Sequence, residues 1–309
     1  MRNTGRDRNS GLALGFLALT IAASSVWVSV LAAPVPMAGT GALKVEQGAN
    51  PAAKDSCFQC HSVIEGTSVT FKNDVHYGHA ISCADCHGGD PKEEDQNLSM
   101  SAKRGFKTRV KRQATPDYCG RCHKNASFMR KFDPQLRVDQ LALYKTSVHA
   151  KRLATGHTRS AECVDCHGVH NIRAVGDPLS PARPQHVTET CAKCHAAAAD
   201  LFRKSPHGPV FTSKEMPGCT ACHASHATKP AGQAMLTGKH AVCAECHDAG
   251  SAGEKAGAEI ARLLKGLETT GRKSKEALAR ARSAIHTFDV AAIRRAAENA
   301  TAQNEKVPK

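Results

Sequence analysis

The chain has 309 residues, with 42 Lys and Arg against 28 Asp and Glu, a formal charge of +14. It holds nine Phe, three Tyr and one Trp, but 14 Cys and 17 His. The length suits one large domain or two ordinary ones. The aromatic content is too low for a side-chain core of ordinary size, so something other than side chains is expected to fill the interior.

Residues 1–33 read as an export signal. Arg2, Arg6 and Arg8 give a basic start, and Gly11 to Ala33 carries no charge. Val30 and Ala32 place small residues at the −3 and −1 positions of a cleavage after Ala32. Asp7 separates Arg6 from Arg8, so there is no twin-Arg pair. The alternative is an uncleaved anchor, since 23 uncharged residues can span a bilayer; Ser24, Ser25 and Pro34 favour cleavage. The expected location is the periplasm, with a membrane-anchored or extracellular protein as alternatives. Export sets aside nucleic acid, the usual partner of so basic a chain. Residues 34–54, rich in Ala, Gly and Pro, read as a flexible lead-in.

Residues 55–250 contain every cysteine. All 14 fall into seven CxxCH motifs: Cys57 and Cys60 before His61, Cys83 and Cys86 before His87, Cys119 and Cys122 before His123, and Cys163 and Cys166 before His167. The last three are Cys191 and Cys194 before His195, Cys219 and Cys222 before His223, and Cys243 and Cys246 before His247. Two thiols this far apart can add to the two vinyl groups of one haem, and the next His is then held under the iron as its proximal ligand. Disulfides suit an exported chain but do not explain a His after every pair. Zinc sites use CxxC pairs and leave the repeated offset unexplained. The reading is seven covalently bound c-type haems. The motifs span 191 residues, one haem per 27 residues; haems at that density pack against haems. Without the signal the charge is +12, and 14 haem propionates would offset it, because a bound cofactor's charge belongs in the balance. Six basic residues between Lys103 and Arg112 form either a docking patch or a solvated loop. Gly88, Gly89 and Gly168 after proximal His allow tight turns.

A c-type haem iron needs a sixth ligand, and ten further His remain beside the seven proximal ones. The segments around "CVDCHGVH" and "CTACHASH" repeat: His149 and His207 lie upstream, His170 and His226 three residues past the proximal His. "DVHYGHAISCADCHGGD" is a shortened relative with His76 and His79 upstream. A His three residues past the proximal one cannot bind the same iron from the other side and reaches a neighbouring haem. His286 is the seventh distal candidate, on a helix face with Ala279, Ser283, Val290 and Ile293. His157, His186 and His240 lack the repeated context and read as surface or propionate-contacting residues. Residues 251–309 turn to Ala, Lys, Arg and Glu. Ile260, Leu263, Leu264 and Leu267 mark one amphipathic helix, and Leu278, Ala281, Ile285 and Phe288 a second. The expectation is a helical hairpin that packs over the haem region and delivers His286; an independent dimerisation hairpin is the alternative.

The seven motifs, "CHGVH", "CADCHGGD" and the C-terminal helices together resemble the multihaem cytochromes c over about residues 55 to 300. This superfamily includes small periplasmic carriers, pentahaem nitrite reductases and octahaem hydroxylamine oxidoreductases. The resemblance implies a mainly α and irregular fold organised around stacked, mostly bis-His haems. The nitrite reductases' CxxCK is absent, and no signature marks Tyr77, Tyr118 or Tyr144 for the cross-link of the hydroxylamine enzymes. Electron transfer between redox proteins, or from a membrane quinol oxidoreductase, is the expected function. A reductase or oxidase of a small nitrogen or sulfur species at one open haem is the alternative, and self-stacking into a longer conduit is a third class.

Overall fold

Short helices separated by turns make up the motif region, as the frequent Gly, Pro and Asp residues require. The structure is a computed structural model that describes residues 55–63, 67–238, 241–270 and 275–305, all within one unit spanning residues 47–309. In chain order the helices are α1 (Ser56–His61), α2 (Thr67–Phe71), α3 (Val75–Gly78), α4 (Cys83–His87), α5 (Gln96–Ser99), α6 (Thr115–His123), α7 (Ala126–Met129) and α8 (Gln140–Thr146). There follow α9 (Val148–Ala154), α10 (Cys163–His167), α11 (Val187–Lys204), α12 (His207–Ser213), α13 (Gly218–His223), α14 (Ala252–Thr270), α15 (Lys275–Ala284) and α16 (Val290–Glu305). Short 3-10 turns intervene, among them Val242–Glu245 and Ile285–Thr287. The described residues contain no β-strand. The expected mainly α and irregular architecture is what forms.

The aliphatic core is confined to the C-terminal helices. Ile260, Leu264 and Leu267 recur at helical spacing on α14 and are buried; Ile293, Ala297 and Ala300 do the same on α16. Ala281 of α15 closes the seam, and Leu263 touches both clusters. Burying each Leu contributes about 1.5–3 kcal/mol. Among the described residues, no comparable aliphatic cluster forms within the motif region, where burial is scattered over Phe58, Phe71, Met129, Leu153, Phe202 and a few small or polar side chains.

The C-terminal helices are present and gain a third member. Phe288 takes a left-handed φ of 53° and ends the 3-10 turn. The Asp289 carboxylate then accepts from the Ala291 and Ala292 amides and starts α16. His286 therefore sits on the 3-10 turn between α15 and α16. Ala279, placed on its face by spacing, is exposed, because the turn rotates the face; Leu278 lies outside the residues whose side chains are described.

These helices pack against the motif region: α11 contacts α15 and the Ile285–Thr287 turn, and α14 contacts the Val242–Glu245 turn. Gly253 and Gly257 permit the second contact. A Cβ at Gly253 would collide with the His247 ring, and one at Gly257 would stand 2.8 Å from the Cys243 Sγ. The basic run is pinned at both ends. Arg104 pairs with Asp90 at 2.5 Å, and Arg112 pairs with Asp165 at 2.5 Å and donates to the Ser160 carbonyl at 2.9 Å.

Candidate haem sites

CxxCH is a helical spacing. Positions i, i+3 and i+4 share one helix face, so a single turn presents both thiols and the imidazole together. Helices α1, α4, α10 and α13 are such turns, α6 ends on His123, and the Val242–Glu245 turn carries Cys243, with Cys246 capping its end. Local caps start them. Asp55 accepts from the Phe58 amide at 2.5 Å. Asp85 accepts from the Ser82 amide, and Asp165 from the Glu162 amide, closing capping boxes on α4 and α10.

The chain turns away at the proximal His. Gly88 and Gly168 follow it with φ of 69° and 83°, and Ala224 holds the same place in the third copy with φ 60°. A side chain at Gly88 would also run into the Gly105 carbonyl. Within α11 the helix breaks at His195, whose φ and ψ are −111° and 42°.

No disulfide joins any of the 14 cysteines. Thiols of successive motifs lie close enough to perturb one another: Cys57 with Cys83, Cys86 with Cys119, Cys119 with Cys163, Cys166 with Cys194, Cys191 with Cys219, and Cys222 with Cys243. The motifs thus run through space in sequence order. Burial pushes the Cys83 thiol up to about 12 and Cys222 up to about 11. Cys219 is drawn down to about 7 by its hydrogen bond with Cys191.

Six motif histidines each meet one of the spare histidines. His76 and His123 have ring centroids 5.9 Å apart at 87°, and His207 and His247 lie 6.0 Å apart at 81°. His87 and His170 are 5.9 Å apart at 26°, and His223 and His286 6.1 Å apart at 25°. His167 and His226 are nearly parallel, 6.0 Å apart at 9°, and His149 and His195 are 6.3 Å apart at 39°. The seventh candidate, His79, stands edge-on to Phe132 at 5.0 Å. Of the set-aside histidines, His157 is exposed, His186 Nδ1 donates to the Ser180 carbonyl at 2.9 Å, and His240 lies outside the described residues. A carbonyl oxygen can only accept, so the His186 Nδ1 carries the proton.

The paired rings are prepared for metal. Burial lowers the pKa of His123, His149, His167, His170, His207, His223, His226 and His286, with the facing charge reinforcing it at several of them. Each is held neutral at pH 7, the form that binds metal. Their outer nitrogens are anchored in part by carbonyls: His87 Nδ1 to Lys107 at 2.8 Å, His223 Nδ1 to Lys229 at 3.3 Å and His286 Nδ1 to Ser283 at 3.2 Å. Such bonds fix the tautomer and aim the Nε2 at the metal.

The residues fit haem. With metal–nitrogen bonds of about 2.0–2.1 Å and a ring nitrogen about 1.2 Å from its centroid, two imidazoles on opposite sides of one ion place their centroids about 6.4 Å apart. The observed 5.9–6.3 Å leaves such a gap in all six pairs. Among the described residues, no group of three or more His, Cys, Asp or Glu could hold a metal ion. A tetrahedral zinc site has no ligand set here, whereas a haem iron needs only two axial ligands because its macrocycle supplies four nitrogens. The tyrosines have structural partners: Tyr144 donates to the Ala161 carbonyl at 2.9 Å, Arg121 stacks over Tyr118 at 3.8 Å, and Tyr77 packs on Phe58 and Phe71.

Sequence reasoning found both sets of histidines but not which ring meets which. It also missed Asp74, whose carboxylate accepts from His76 Nδ1 at 2.8 Å; its only signal was a place two residues before a candidate ligand.

The family model for cytochrome c3 matches residues 75–177, and the model for the doubled CXXCH motif matches residues 207–252. No curated protein and no solved structure matches the chain. No described helix is long and apolar enough to cross a membrane. Between them the two family matches take in five of the seven motifs, and the paired imidazoles run through both segments: the matches support a multihaem cytochrome c family and electron transfer by covalently bound c-type haem.

Proposed function

We propose that this chain binds seven haems and conducts electrons along them in sequence order, from the His61 end to the His247 end or the reverse. The observation that carries this is the set of six imidazole pairs, each joining a motif histidine to one outside the motifs. Two fixed imidazoles close an iron on both faces and leave no position for substrate. The haems supply one-electron chemistry, and the protein sets their potentials through ligands, burial and charge.

The proposed ligation follows a register. Each upstream histidine serves the motif after next: His76 the haem of His123, His149 that of His195, His207 that of His247. Each histidine just past a motif serves the one two places earlier: His170 the haem of His87, His226 that of His167. The register therefore staples neighbouring units together, so no unit can bind its haems alone. Residues 248–309 carry no further CxxCH, and His286 serves the haem of His223. The three C-terminal helices act as the cap of the array, as terminal units do in repeat proteins. At the other end no histidine precedes His61 in the sequence. His79 is the remaining candidate for that haem. It lies one residue beyond α3, whose Tyr77 packs on Phe58 of the His61 helix at 5.3 Å.

Export to the periplasm, with a redox protein or membrane quinol oxidoreductase as partner, completes the proposal. Residues 1–33, the proposed signal, lie outside the described residues. Two measurements on protein matured with haem test the reading. Intact mass should show seven haem additions. The reduced protein should pass electrons to an artificial acceptor yet show no turnover with nitrite, hydroxylamine or sulfite. Turnover with any of the three would move the chain to the enzymes.

A further inference from the structure

The outer nitrogens of the proposed ligands do not have equal partners. At His87, His223 and His286 the partner is a neutral carbonyl. The His207 Nδ1 is buried with no hydrogen-bond partner among the described residues. Only at His76 is a carboxylate seen in that role among the described residues: Asp74 Oδ1 accepts from His76 Nδ1 at 2.8 Å.

Asp74 is built into place. Its side chain is 1% exposed. Oδ1 also accepts from the His76 amide at 2.9 Å, capping α3, and Oδ2 accepts from the Ile172 amide at 2.7 Å. The Val75 amide in turn donates to the Ile172 carbonyl at 2.7 Å. Ile172 lies two residues past His170, so Asp74 ties the ligand loop of one haem to that of its neighbour. No Lys or Arg pairs with it among the described residues. Its charge is therefore directed at one imidazole.

A carboxylate on the outer nitrogen pulls on the N–H and makes the ring a stronger donor. A stronger axial donor stabilises ferric over ferrous iron, and ligand identity, second-shell hydrogen bonds and burial set haem potentials. We propose that Asp74 is a positioning residue that lowers the potential of the haem held by His76 and His123. That haem then lies below the haem held by His207 and His247, whose distal ring lacks any such partner, and electrons run downhill towards the His247 end. This rests on the axial pairing proposed above.

The two haems can be followed separately from the rest. Both have near-perpendicular ring planes, 87° and 81°, and perpendicular imidazoles give ferric haem a large-gmax EPR signal, unlike the rhombic signal of parallel rings. The experiment is an EPR-monitored redox titration of the haem-loaded full chain, wild type against Asp74→Asn. Asn keeps one oxygen for the His76 cap and loses the charge; its amide nitrogen cannot accept from the Ile172 amide, so loss of that one contact accompanies the change. The expected result is two large-gmax components with separate midpoints in the wild type, the lower one moving up in the variant while the other stays. Its ferric-to-ferrous ratio at fixed ambient potential should change about tenfold, about 59 mV for one electron. Unchanged midpoints with both components intact would overturn the role of Asp74 and leave the pairing standing. Absence of large-gmax components from the wild type would overturn the pairing instead. If Asp74→Asn disturbs haem binding, His207→Met on a wild-type Asp74 background decides the order. It removes one perpendicular pair, and the surviving component must be the lower-potential one; survival of the higher one overturns the proposal.

Discussion

Replacing His286 by Ala isolates the capping role of the C-terminal helices. His286 sits on the turn between α15 and α16, its ring 6.1 Å from that of His223. It is only half buried, and its ring Nδ1 donates to the Ser283 carbonyl at 3.2 Å. The aliphatic seam of Ile260, Leu264 and Ile293 does not depend on it, though Ile285 next door packs on that seam. Losing a half-buried side chain and one weak hydrogen bond costs about 1–2 kcal/mol, against the roughly 5–15 kcal/mol of a folded domain. The variant should fold. The haem of His223 alone should lose its sixth ligand. The ferric protein should then show one haem equivalent of new high-spin EPR signal, and the ferrous protein should bind one further equivalent of carbon monoxide. An unchanged low-spin spectrum and no added carbon monoxide binding would refute both the ligand and the cap.

Gly88→Ala should destabilise the second motif by about 1–3 kcal/mol, since it combines a left-handed φ with a backbone collision at Gly105; thermal unfolding should fall, and Gly168→Ala, which meets only a distant carbonyl 3.9 Å away, should fall less. Arg112→Met removes the cation facing Glu162 and Asp165. Because Arg112 and Asp165 are each a third exposed, solvent screening limits the loss to about 1–2 kcal/mol, to be read as a lower denaturant midpoint; an unchanged midpoint would mean that the pair is idle. The half-buried histidines set a pH dependence. Their folded pKa values lie below the unfolded value of about 6.5, so the unfolded chain takes up more protons as pH falls. Stability is full above 6.5 and declines below it; protons also compete with iron for the same nitrogens. Denaturant midpoints at pH 7.5 and 5.5 should differ in that order, and equal midpoints would contradict it.

The covalent half of each site was legible because it is local. Two thiols and a histidine within five residues must occupy one helical turn, so spacing alone identifies them, whatever the rest of the fold does. The axial half was legible only as a set. His170 meets His87, and His226 meets His167, across long stretches of chain, and periodicity carries no information about contacts of that range. The repeat of "CHGVH" in "CHASH" showed that a neighbour is reached, not which one. Hydrophobic spacing found α14 because Ile260, Leu264 and Leu267 recur on one face. It merged His286 into a helix because the break depends on the backbone of Phe288, a residue with no turn preference of its own. Asp74 was invisible as a tuning group because a lone Asp before a short helix reads simply as a cap, and it does cap.

Quantitative low-temperature EPR of the fully ferric protein decides whether fixed imidazole pairs close the haems. Two pairs are near-perpendicular and four lie between 9° and 39°. The expected spectrum holds two haem equivalents of large-gmax signal and four of rhombic low-spin signal, with His61's haem as the remaining one, after allowance for spin coupling between neighbours. Two or more haem equivalents of high-spin signal, or no large-gmax component at all, would contradict it.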